Sequence, residues 1–160
     1  LLPPIIIVLP LFSLYLKLSL LNSITGLIIS HIAISLPFLA WILVTFFEGN
    51  LTYLEQAARV DGASRLQAFV YITIPVSAPG LIAAGVLAFI LSWNEFILAL
   101  ILSGPQTNTV PVGLSSFQTH RGVDIAPLAA ATICTIAPVF IMLPFMKKYL
   151  ISGLSLGALK

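Results

Sequence analysis

Residues 55–80 read EQAARVDGASRLQAFVYITIPVSAPG, the one long polar interruption in an otherwise apolar chain. Thr52 precedes Glu55 by three residues, a capping-box spacing that predicts a helix from about Tyr53. Gly62 stands where a left-handed residue ends such a helix. Ser64 and Gln67 repeat the capping-box spacing immediately afterwards. Pro75 and Pro79 bound the start of the next apolar run. The pattern predicts helix, glycine break, second helix, then entry into an apolar span. So ordered a segment between two spans is expected to dock something.

The surrounding composition belongs to a bilayer. Of 160 residues, 8% are charged, against roughly 25% in ordinary globular domains, and the mean hydropathy is +1.13. The net charge of +2 points to no nucleic-acid partner. Cys134 is the single cysteine and sits in an apolar run, so no disulfide within the chain is possible. Leu1–Leu16 is apolar, carries Pro3, Pro4 and Pro10, and is shorter than the ~20 residues a full crossing needs. It lacks the basic start and small-residue cleavage site of a signal peptide. With Leu1 in place of an initiating Met, the expectation is the C-terminal part of a longer chain whose N-terminal spans are missing.

Three further spans are expected, at about 26–47, 79–102 and 125–146, with 48–78 as the docking loop. Pro37 is expected to kink the first, and Pro138 and Pro144 to interrupt the last. His31 and Ser35 share a face of the first span; His31 either lines a solute path, reaches the membrane interface or bonds a neighbouring helix. Gly80, Ala84, Ala88 and Ser92 form a small-residue ridge, and Ala126, Ala130 and Cys134 form another. Asn94 and Glu95 within a span must face protein or water. With Ser92 they are candidates for a translocation path or a subunit interface; the alternative is an interhelical clamp. In the connection 103–124, Val112, Leu114 and Phe117 are expected to anchor a short helix on the membrane. Lys147 and Lys148 close the last span.

The loop's first helix places Leu54, Ala57, Ala58 and Asp61 on one side, with the alanines as a flat contact surface. Glu55 and Arg59 are spaced as an i, i+4 ion pair. The second helix places Leu66, Phe69, Val70 and Thr73 along one face. No G-x-x-x-x-G-K-[ST] occurs, so no phosphate-binding loop is present. No H-E-x-x-H or paired Cys-x-x-Cys indicates a metal.

One family shares this layout. Ala57-Ala58, three residues, Gly62, nine residues, Ile72-x-Ile74-Pro75 resembles the EAA loop of permease subunits of bacterial ATP-binding-cassette (ABC) importers. Asp61–Ser64, Trp93–Phe96 and the ending Gly153-Leu154 through Gly157–Lys160 resemble its carbohydrate-uptake branch, in the style of the second maltose-type permease subunit. The motif's Glu falls here on Gln56, with Glu55 adjacent. The resemblance implies an all-α polytopic bundle of the type I importer kind that is not itself an enzyme. It implies an EAA loop coupled to ATPases through Glu55, Gln56, Ala57, Ala58, Arg59, Asp61, Gly62, Ala63 and Pro75. Two ATP-binding-cassette subunits would bind ATP and Mg, and this chain no cofactor. A second permease and an extracytoplasmic solute-binding protein complete the expected set, in a bacterial inner membrane with the loop and C-terminus cytoplasmic. A sugar or sugar derivative is the expected solute. A polyamine, phosphate or another small solute, or ATPase-independent secondary transport, are the alternatives.

Overall fold

The structure, a computed structural model, describes residues 3–47, 50–119 and 122–157. Helices α1 (Pro4–Lys17), α2 (Ile24–Phe47), α3 (Asn50–Val60) and α4 (Arg65–Ala68) come first. A π turn, Phe69–Thr73, joins α4 directly to α5 (Ile74–Trp93). After it come α6 (Ile97–Leu102), α7 (Val110–Ser115), a two-residue antiparallel pairing of β1 (Gln118–Thr119) with β2 (Gly122–Val123), and α8 (Ile125–Gly157). Apart from that pairing, the described fold is helical. Among the described residues, three helical runs are long and apolar enough to cross a membrane: Ile24–Val44, Arg65–Trp93 and Ile125–Met142.

Two of these bounds depart from the sequence expectation. The middle apolar helix runs from Arg65 to Trp93, not from Pro79 to Leu102. Neither Pro75 nor Pro79 breaks it. A proline ring collides with the carbonyl four residues back and removes one donor. The π turn immediately before Pro75 widens the helix, and the Ile74 N–H reaches back five residues to the Phe69 carbonyl. The helix ends instead at Asn94–Phe96. In α8, Pro138 and Pro144 lie within a continuous helix. Prolines are tolerated in membrane helices because local adjustments re-satisfy the freed carbonyls. Glu48, Gly49, His120, Arg121 and 158–160 lie outside the described residues, as do Leu1 and Leu2.

The chain divides into two compact units, and the division passes through α2 at Pro37. The first unit contains the described residues up to Pro37 together with Phe89–Ile141. Its core is Val8 and Tyr15 of α1, Leu27 of α2, Leu98, Ala99 and Leu102 of α6, and Val112 of α7. Val112 thus packs into protein rather than anchoring α7 on a membrane, while Leu114 and Phe117 are half-buried. Tyr15 donates to the Gly26 carbonyl at 3.1 Å, and Ser30 Oγ lies 3.0 Å from the Tyr15 hydroxyl. A Cβ at Gly26 would collide with the Leu20 carbonyl, so glycine lets α1 and α2 close on this pair. None of the Ile125–Met142 span is buried.

The second unit contains Phe38–Ala88 and the described residues from Met142. Its interior is made mostly of small side chains, Ala58, Ala68, Thr73, Ser77, Gly80, Ala83 and Ala84, with Val86 beside them. Gly80 and Ala84 of the expected ridge are buried here, as close helix approach requires.

Candidate functional site

The loop expected to dock a partner is held by backbone geometry at both ends of its central break. Gly62 has φ +95, in the left-handed region where an L side chain is strained. Its N–H donates to the Arg59 carbonyl at 3.2 Å, and the Ala63 N–H donates to the Ala58 carbonyl at 3.0 Å. This pair of bonds is the Schellman termination that satisfies the orphan carbonyls of α3. Two residues on, the Gln67 N–H donates to Ser64 Oγ at 3.3 Å and the Ser64 N–H to Gln67 Oε1 at 2.8 Å. The second capping box is therefore complete. The first is not. α3 starts at Asn50, which places Thr52 inside its first turn. The half-buried Leu51 extends the inward stripe of Leu51, Glu55 and Ala58 by a turn, and that packing outweighs the cap signal.

That stripe changes which residues of α3 are available to a partner. Ala58 is 8% exposed and faces its own unit, and Glu55 is half-buried on the same side. The exposed stripe is Tyr53, Gln56, Ala57 and Val60, at i, i+3, i+4 and i+7. Tyr53 is 73% and Val60 87% exposed. The two alanines do not form one contact surface, and Leu54 and Asp61 are exposed while Ala58 is not. Neither Tyr53 nor Val60 belongs to the motif read from sequence; each is an unpaired apolar residue in a polar helix, and that is the signal that could have found them. Glu55 and Arg59 form no ion pair among the described residues: solvated side chains gain too little from the contact to hold one geometry. On the second helix, Ala68 and Thr73 are buried, while Leu66, Phe69 and Val70 are exposed. Ala68 and Thr73 are five apart, and the π turn brings them to one face where a 3.6-residue period does not.

The second cluster surrounds the end of α5, within the first unit. Ser92 Oγ and His31 Nδ1 share a hydrogen bond of 2.8 Å between α5 and α2. The Trp93 indole N–H donates to the Thr135 carbonyl of α8 at 3.3 Å, and its ring stacks on Phe89 at 5.2 Å. Asn94 donates its amide to the Ile90 carbonyl at 2.9 Å. Glu95 crosses the break: its Oε1 accepts from the Leu98 N–H at 2.9 Å and its Oε2 from the Ala99 N–H at 3.1 Å. These are two orphan donors of α6. Glu95 thus organises a broken helix, and His31 bonds a neighbouring helix. A concavity of about 420 Å³ adjoins the break, lined by Pro4, Ile34, Ile90, Leu91, Asn94, Glu95, Phe96 and Ile97. Asn94 is exposed at its edge. Ser92 does not line it.

Ser92 with His31 has the separation of a nucleophile and base, yet among the described residues no third group orients the base. The pattern G-x-S-x-G occurs at Gly153–Gly157, inside continuous α8 rather than at a strand-to-helix elbow. No group of three metal-ligating side chains occurs among the described residues.

Comparison with known proteins gives a family match over nearly the whole chain. Residues 1–155 match the family described as binding-protein-dependent transport system inner membrane component. The sulfoquinovosyl glycerol transport system permease protein SmoH of Agrobacterium fabrum is 39% identical over 159 residues, covering 99% of this chain and 56% of that protein. The trehalose/maltose transport system permease protein MalG of Thermococcus litoralis is 38% identical, covering 99% of this chain and 58% of its own length. The trehalose transport system permease protein SugB of Mycobacterium tuberculosis is 34% identical, covering 99% and 59%. The chain therefore spans rather more than half the length of these curated relatives.

Proposed function

Because the chain belongs to the binding-protein-dependent transport inner membrane component family, we propose that it is the membrane-spanning part of an ATP-driven sugar importer and takes its stroke through α3 and α4. The observation that carries this is the built docking loop: Schellman termination at Gly62, capping box at Ser64, and an exposed Tyr53–Gln56–Ala57–Val60 stripe. The stripe seats against an ATP-binding-cassette subunit. Gln56, in the place of the family's Glu, contributes a neutral hydrogen bond there. ATP and Mg belong to those partner subunits. A second permease and an extracytoplasmic solute-binding protein complete the assembly, with the 103–124 connection as the surface for the latter. Names of the relatives point to sugars and sugar derivatives.

Charge supports the orientation. Residues 48–78 and 147–160 hold Arg59, Arg65, Lys147, Lys148 and Lys160, while the other side holds Lys17 and Arg121. An excess of Lys and Arg favours the cytoplasm, so the docking loop faces the ATPases. Asn94, Glu95 and the adjoining concavity are the candidate solute path, with Ser92 behind them as the clamp to His31.

Co-purification tests the proposal. The full-length permease is expressed with the ATPase subunits encoded beside it, as wild type and as Ala57→Asp with Val60→Asp. Both positions are exposed, so the fold tolerates the change. Retention by wild type and loss in the variant is expected. Retention by neither would overturn the importer reading.

A further inference from the structure

The π turn between α4 and α5 sits where a force arriving at the docking helices must enter the span. We propose that Phe69–Thr73 is a two-register hinge: its α-helical alternative swings α3 and α4 about the axis of α5. This rests on the coupling role proposed above for α3 and α4.

Three observations meet at this turn. First, Ser64 and Gln67 cap the helix upstream, and it then runs without a break to Trp93, so the turn is the one irregularity in a 29-residue rod. π turns store an extra residue, and removing one changes the helix by one position, about 100° of rotation. Second, Pro75 comes immediately after it. Its ring opposes the regular α register at the Tyr71 carbonyl, which biases the resting state toward the wide turn in which Ile74 N–H bonds Phe69. Third, Thr73 and Ser77 are 6% and 5% exposed, and neither Thr73 Oγ1 nor Ser77 Oγ has a hydrogen-bond partner among the described residues.

Buried hydroxyls left unpaired are unfavourable, and native folds rarely keep two of them one helical turn apart. Serine and threonine in helices ordinarily bond the carbonyl four residues back. Those carbonyls belong here to Phe69 and Thr73, the two ends of the π turn. In the wide turn the Phe69 carbonyl is engaged by the Ile74 N–H. When the turn tightens to the α register, the Phe69 carbonyl exchanges the Ile74 N–H for that of Thr73, and the Thr73 hydroxyl gains the four-residue spacing from which it can share that acceptor. Pro75 thus favours one register and the Thr73 hydroxyl the other. A balanced pair of registers is what an external push can tip, because a ligand shifts an equilibrium only through unequal interaction with its two states. α3, which carries the docking stripe, packs directly on this turn.

The test uses spin labels on the full-length permease in nanodiscs, at Leu66→Cys and Ile82→Cys, with Cys134→Ser. Both labelled positions are exposed. The starting protein is expected to show one dominant distance. Pro75→Ala is expected to populate a second distance several ångströms away, and adding Thr73→Val with Ser77→Ala is expected to remove it again. A single unchanged distance in all three would overturn the hinge. Where ATPase subunits co-purify, trapping with ATP and vanadate should move the population to the same second distance. Co-purification without that movement would overturn the hinge while leaving the importer reading intact. Failure to co-purify would reject the importer reading, while the first three proteins still decide the hinge.

Discussion

Ala63 donates its backbone N–H to the Ala58 carbonyl at 3.0 Å across Gly62, whose φ is +95. A Cβ at Gly62 would meet nothing within 4 Å, so backbone conformation alone dictates glycine there. Gly62→Ala is therefore expected to cost ~1 kcal/mol. Gly62→Asn should recover much of that, since Asn tolerates the left-handed region. Thermal unfolding of the purified permease should rank wild type above Asn above Ala. Equal midpoints for Gly and Ala would refute the left-handed termination.

The Ser64–Gln67 box makes a local prediction. Ser64→Ala should cost ~1 kcal/mol by removing an acceptor from the Gln67 N–H, and Ser64→Asp should keep it. Hydrogen exchange of the 65–68 amides is the readout: faster in Ala, near wild type in Asp. Thr52→Ala, by contrast, should leave the start of α3 unchanged, because Thr52 lies inside the first turn.

Glu95 separates a structural from a transport role. Glu95→Ala leaves the Leu98 and Ala99 N–H groups unpaired and should destabilise by about 1–3 kcal/mol. Glu95→Gln retains one acceptor oxygen and should fall between the two. A Gln variant as stable as wild type yet defective in uptake would identify the charge itself, rather than the cap, as what the solute path uses.

These sites show what was legible in the chain and what was not. Gly62, Ser64 and Gln67 act through backbone groups within a few residues, so spacing alone located them. The inward position of Ala58 was not legible, because which side of α3 is covered depends on what packs beneath it: Tyr53 and Val60 lie on the exposed side, while Glu55 lies with Ala58 on the covered one. The span that starts at Arg65 was hidden by two prolines whose usual effect is to break a helix. The π turn that accommodates Pro75 has no sequence pattern of its own, and Pro79 lies beyond it in regular helix. Asn94 and Glu95 were recognisable as out of place in a bilayer, but their role in restarting a helix at Ile97 depends on hydrogen bonds that only coordinates provide.

His31 and Ser92 are 61 residues apart in the chain, and their bond joins α2 to α5. A double-mutant cycle with His31→Ala and Ser92→Ala should give a coupling of about 0.6 kcal/mol, the typical value for interhelical hydrogen bonds in membranes. Additive single effects in unfolding from a bilayer-mimetic would show that the contact contributes nothing measurable.

The connection after α6 is fitted to the turn before α2. The Asn22 N–H donates to the Leu102 carbonyl at 3.0 Å, and Asn22 holds φ +55, a conformation Asn tolerates better than most residues. A Cβ at Gly104 would lie 2.9 Å from the Asn22 side chain. Gly104→Ala must therefore displace that side chain, at about 1–3 kcal/mol. Asn22→Gly removes the obstructing atoms and keeps access to positive φ, so the two changes together should be more stable than Gly104→Ala alone. Thermal unfolding of the two single variants and the pair decides it. If the pair is no better than Gly104→Ala, the close approach between these connections is not what requires glycine at position 104.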